Sequence, residues 1–130
     1  MKTIAHLKGA EFLTASFYAT EAVEELARKS NFMDVWRKKP TFTGNETEEE
    51  KLDMHRKQIV SNVKSIMKNL MVTNPEATVK CIIALCVREE DAPEPDGIEL
   101  LSAAMSIISD KRVVDFLLQL GKSGLFNTEN

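Results

Sequence analysis

Cys81, Cys86, His6 and His55 are the residues whose types suit metal binding or nucleophilic chemistry. On a helix, two cysteines five positions apart diverge by about 140°, so they do not converge on one ion. No C-x-x-C pair accompanies them, and the histidines are far off in sequence, so the pattern argues for small buried thiols rather than a zinc site. A thiolate nucleophile needs an accessible setting and a base, whereas Cys81 and Cys86 are embedded in Ile82-Ile83-Ala84-Leu85. His55 falls on the apolar side of its segment and reads as a boundary or interface residue. Its meeting either cysteine in space depends on the fold.

Two further patterns invite chemistry. Gly121-Lys122-Ser123 matches the end of a phosphate loop, but the full motif places a glycine five positions earlier, where this chain has Phe116. The carboxylates Glu89, Glu90, Asp91, Glu94, Asp96 and Glu99 crowd a proline-containing stretch. Acid-base work requires two carboxyls held across a cleft with separated pKa values, and a calcium loop requires alternation about a central glycine. This spacing meets neither requirement. It reads as a solvated linker or, through Glu89, Glu90, Asp91 and Glu94, as an acidic patch for a basic partner. We therefore expect no catalytic residues, no cofactor and no metal.

A length of 130 residues suits one domain with a core of its own, and 43% hydrophobic content is ordinary for a globular chain. The formal net charge of −3 gives no global basic field. Arg28, Lys29, Arg37, Lys38 and Lys39 form one basic group, and Lys51, Arg56, Lys57, Lys64 and Lys68 another. Glu46, Glu48, Glu49, Glu50 and Asp53 lie between them and would repel phosphates, so no nucleic-acid partner is expected. Residues 1 to 8 lack a continuous apolar segment and no run resembles a membrane span, so neither a signal peptide nor a membrane partner is expected. Sparse cysteine fits a reduced, cytoplasmic protein.

The positioning elements read as helices. Residues 10 to 29 carry Leu13, Phe17, Val23 and Leu26 as an approximate stripe, widened by Phe12 and Tyr18. Residues 1 to 8 suit an extended arm or a short turn. Asn31 begins a brief helix in which Phe32, Val35 and Trp36 face the core, although Trp36, beside the loop at 40 to 46, also suits a binding surface. Thr47 with Glu50 matches a capping box, starting a helix to Leu70 or Val72 whose Leu52, His55, Ile59, Val63, Ile66 and Leu70 make the inward stripe. Asn74-Pro75 opens a nearly apolar helix suited to the centre of a bundle, with a β-branched buried strand over 78 to 87 as the rival reading. After the loop at 88 to 97, Asp96 and Glu99 begin a helix bearing Ile98, Leu101, Ala104, Met105 and Ile108. Ser109-Asp110 interrupts it, a last helix carries Val113 to Leu120, and Gly121 is expected to cap it. The sum is an all-α, compact single-domain bundle of about five helices, with an irregular N-terminal arm and a flexible tail from about 122 to 130.

The stretches Asp96-Gly97-Ile98-Glu99-Leu100-Leu101-Ser102-Ala103-Ala104-Met105-Ser106-Ile107-Ile108 and Val113-Val114-Asp115-Phe116-Leu117-Leu118-Gln119-Leu120-Gly121-Lys122 resemble the closing helices of tail assembly chaperones of long-tailed bacteriophages. The likeness covers residues 76 to 122, and residues 1 to 45 add nothing to it. It implies a small helical protein in the host cytoplasm that keeps the tape-measure protein soluble, and that contacts the tail-tube subunit where a frameshifted extension is present. Such a family offers no catalytic residues to carry over. Several copies would be needed along an extended client, so a homo-oligomer is expected. The surplus of apolar residues in the last helices, with Trp36, makes Trp36, Met105, Ile108, Phe116, Leu117, Leu125 and Phe126 the candidate protein interface. The alternative is an adaptor that binds a basic host protein through the acidic loop.

Overall fold

The computed structural model describes residues 2–89 and 91–124. Six α-helices follow in order: α1 (Gly9–Ser30), α2 (Phe32–Trp36), α3 (Glu48–Lys68), α4 (Pro75–Ala84), α5 (Gly97–Ser109) and α6 (Lys111–Lys122). A 3₁₀ turn, Ile4–His6, precedes α1, and a π-helical turn, Asn69–Thr73, joins α3 to α4. The described residues form no named strand, so the strand reading of residues 78 to 87 gives way to helix as far as Ala84, beyond which Leu85 to Val87 leave the helix and Cys86 pairs with the arm.

Local chemistry sets most boundaries. Thr47 accepts the Glu50 amide at 3.1 Å while the Glu50 carboxylate accepts the Thr47 amide at 3.4 Å, the reciprocal pair the sequence predicts. Asp96 accepts the Glu99 amide at 2.8 Å and Asp110 the Arg112 amide at 3.0 Å, which starts α5 and α6. Pro75 is pre-set for the first turn of α4, but the Asn74 side chain turns back to donate to the Asn69 carbonyl instead of capping. Asn31 also differs from expectation. Its side chain makes no cap; its left-handed backbone, φ 53°, breaks α1 from α2. Gly121 lies within α6, which runs on to Lys122, and the chain turns at Gly124 with φ 84°.

The core joins Ile4 of the arm, Ala19 and Val23 of α1, Cys81, Leu85 and Cys86 around α4, Ala103 and Ile107 of α5, and Val113 of α6. α4 is central, packed against α1, α5 and the π turn. The arm is stitched to the end of α4, where the Ile4 amide donates to the Leu85 carbonyl at 3.0 Å and the Val87 amide to the Lys2 carbonyl at 2.7 Å. Thr3 and Cys86 form an isolated antiparallel bridge, so the arm is both an extended segment and a turn.

Two expected stripes are oriented differently. In α1, Ala19 and Val23 are buried, with Ala15, Ala22 and Leu26 packed beside them, whereas Leu13, Phe17 and Tyr18 are exposed. The small alanines allow α1 to lie close on α4, and larger Phe17 on that face would hold the helices apart. In α3, whose principal contacts are α2 and the π turn, Asn62 is the buried residue, while Leu52, Ile59, Val63 and Met67 face solvent. The inward face is fixed by polar bonds: the Asn62 amide donates to the Lys38 carbonyl at 3.0 Å and accepts from Gln58 at 2.8 Å.

Candidate protein-binding surface

α5 carries a continuous exposed apolar stripe. Ile98, Leu101, Met105 and Ile108 are between 60 and 78% exposed. Their spacing of three, four and three keeps them on one face, roughly 160° around the helix from buried Ala103 and Ile107 at about 100° per residue. Asp96 at the N-terminus fixes where the stripe begins, and Asp110 where α5 stops. The arrangement is a ridge that can bury against a second amphipathic helix; it has no convergent polar groups for chemistry.

The other candidate interface residues separate. Trp36 is 56% exposed, its ring stacked on Phe32 with centroids 6.1 Å apart and planes within 6°. The core placement of Trp36 is therefore replaced by a surface one, because α2 is a single short turn whose inward position is taken by Val35. Phe116 and Leu117 are half-buried and pack against the core alongside Leu120, so they hold α6 down; Leu118 is an exposed apolar residue of that helix. Leu125 and Phe126 lie outside the described residues, as do Glu90 and the remainder of the tail from 125 onward.

In the acidic loop, Glu89, Asp91 and Glu94 are exposed. The Arg88 guanidinium donates to the carbonyls of Ala92 and Pro93, and Pro95 is buried. The loop before α3 is held similarly by Glu46, whose carboxylate accepts from the Thr43 amide and hydroxyl, both at 2.8 Å, and from the Gly44 amide at 3.0 Å. These donors pull the Glu46 carboxyl down to about 2.

Cys81 and Cys86 are both buried, and burial pushes the Cys81 thiol up to about 12 and raises Cys86 as well. A thiol so shifted is protonated at neutral pH and is a poor nucleophile. His55 sits at the surface, its ring 5.5 Å from Phe42 in an edge-on contact, and His6 Nδ1 lies 3.4 Å from the Thr3 carbonyl. Among the described residues no group of three or more His, Cys, Asp or Glu side chains is placed to hold an ion, and no helix is long and apolar enough to cross a membrane.

Two surface features escape a reading by sequence alone: the outward α3 stripe and the exposed Leu13, Phe17 and Tyr18 of α1. The signal was present as apolar periodicity, but periodicity marks a face without saying what covers it. Compared with protein-family models, with curated proteins and with solved structures, the chain gives no match.

Proposed function

We propose that this chain is a non-catalytic protein-binding module of the tail assembly chaperone type, which holds an amphipathic helical client, the tape-measure protein of a long-tailed bacteriophage, in soluble form. The observation that supports this reading is the α5 stripe: four large apolar side chains in line, on a helix anchored from behind by Ala103 and Ile107. A client helix laid along Ile98, Leu101, Met105 and Ile108 removes both apolar faces from water, which is the main source of affinity in helix-to-helix capture. The exposed carboxylates of the adjoining loop discourage nonspecific association.

Co-expression with a tape-measure partner, pull-down and sizing of the complex test the reading. The native chain is expected to retain the partner in solution, and a Met105→Glu/Ile108→Glu variant to lose it while keeping its helix content. A folded native chain that leaves an intact partner unbound would sink it.

The adaptor alternative gains from the acidic loop, where Arg88 bonds to the carbonyls of Ala92 and Pro93 and Glu89, Asp91 and Glu94 are exposed. Salt-sensitive capture of a compact basic protein, undiminished by Met105→Glu/Ile108→Glu, would favour it.

A further inference from the structure

The way α6 ends directs the chain beyond it. Ser123 follows the last helical residue, and Gly124 then takes a left-handed conformation, φ 84°, while its amide donates to the Gly121 carbonyl at 3.3 Å. This is the inner of the two bonds that close a helix by reversal. The outer one runs from the amide after the left-handed residue to the carbonyl three positions before the cap, which here are Leu125 and Leu120. The Leu120 carbonyl accepts the Ser123 hydroxyl at 2.7 Å and keeps a second lone pair for an amide. The same reversal commonly sets an apolar side chain at the position of Leu125 against the one at Leu120. Leu120 is half-buried and packs on the core.

One turn further back along α6 lies an apolar cleft of about 280 Å³ between the arm, the first turn of α1 and α6, walled by Ile4, Leu7, Phe12, Val113 and Phe116. Its charged lining residue, Arg112, is engaged by Asp110 and by the Ala5 carbonyl at 3.3 Å, so the cleft suits an apolar occupant. Gly124, Leu120, Phe116 and Arg112 recur every four residues and form one row along the helix. Leu120 and Phe116 are about 6 Å apart along the axis at 1.5 Å per residue. One extended residue covers about 3.5 Å of that, and the Phe126 ring spans the rest. After Phe126 the sequence continues with Asn127, Thr128 and Glu129, all polar. We propose that Leu125 and Phe126 fold back on α6, Leu125 against Leu120 and Phe126 against Phe116 over the mouth of the cleft. The two residues then extend the core of their own chain and are withdrawn from the client surface on which the sequence places them. The α5 stripe is untouched by this and stands or falls independently of it.

Amide exchange and nuclear Overhauser contacts on the full chain test the proposal. The Leu125 amide is expected to exchange about tenfold or more slowly relative to its unprotected rate, while that of Thr128 is not slowed. Contacts are expected from the Leu125 methyls to Leu120 and from the Phe126 ring to Phe116. Leu125→Ser/Phe126→Ser is expected to lower the melting temperature by about 4 °C or more and to speed exchange at Ile4 and Leu7, which wall the cleft. Gly124→Ala keeps both apolar residues but strains the left-handed turn, and it is expected to weaken the same contacts. A Leu125 amide as unprotected as that of Thr128 overturns the proposal, and so does a melting temperature indifferent to the double substitution. Protection that appears only as protein concentration rises would put the tail of a second copy in the cleft and overturn it equally.

Discussion

The Thr3 hydroxyl donates to a carboxylate oxygen of Asp110 at 2.8 Å, a bond spanning 107 residues of sequence. Thr3 is buried, and the other Asp110 oxygen accepts the Arg112 amide that begins α6. One side chain therefore starts a helix and fastens the N-terminal arm. Thr3→Val keeps the shape and removes the donor, and it is expected to destabilise the fold by about 1 kcal/mol in chemical denaturation. An unchanged midpoint would show that the bond contributes nothing.

Acid should loosen this protein through its helix starts and loops. Thr3 and Arg112 hold the Asp110 carboxyl below its ordinary value, the Glu99 amide does so for Asp96, and the Thr43 and Gly44 donors bring Glu46 from 4.5 to about 2. A carboxyl depressed on folding lends stability that is whole above its unfolded pKa and is lost as pH falls through its folded one. Thermal melting is expected to be flat from neutral pH to about 5 and then to fall progressively toward pH 2. Glu46→Gln should flatten part of that fall. A melting temperature constant down to pH 2 contradicts the assignment.

Asn62 is a buried polar anchor on a helix whose apolar residues face outward. Asn62→Ala leaves the Lys38 carbonyl and the Gln58 amide without their partner and is expected to cost about 1–3 kcal/mol. Faster amide exchange in α3 and in residues 37 to 47 would accompany it, because the bond to Lys38 ties that loop to the helix. Uniform exchange across the molecule would argue against a local role.

The two cysteines are expected to resist alkylation in the native protein at pH 8 and to react once it unfolds, since both are buried and their thiols are raised. Cys81→Ser places a hydroxyl among apolar neighbours and should destabilise by about 1–3 kcal/mol. Rapid labelling of the folded chain would mean that α4 opens readily.

Helix type and most helix starts were legible because they rest on short-range chemistry: Thr47 with Glu50, Asp96 with Glu99, and the break at Ser109-Asp110. The inward direction of each stripe was less so. Val113 faces in, but Phe17 and Ile59 do not, and in α5 the core is taken by Ala103 and Ile107 while Ile98, Leu101, Met105 and Ile108 of the sequence stripe face out, because burial is decided by whichever neighbour packs closest. Ala19 fits against α4 where Phe17 cannot, and Asn62 finds a carbonyl that an isoleucine could not use. Trp36 follows the same logic, displaced by the smaller Val35. Within the candidate surface, Met105 and Ile108 were accessible to reading by spacing, whereas the separation of Leu118 from Phe116 and Leu117 needed the packing of α6. The docking of residues 2 to 7 on Leu85, Val87 and Asp110 had no local signal, because its partners lie far along the chain.

That docking also has a consequence in time. Residues 2 to 4 are made early but can settle only after Leu85, Val87 and Asp110 have left the ribosome. Until then α1 has no α4 to cover Ala19 and Val23, and closing so long a loop is slow compared with forming either helix. Residues 2 to 4 are thus among the last parts to come to rest, and a nascent chain halted before α4 has emerged would present α1 uncovered.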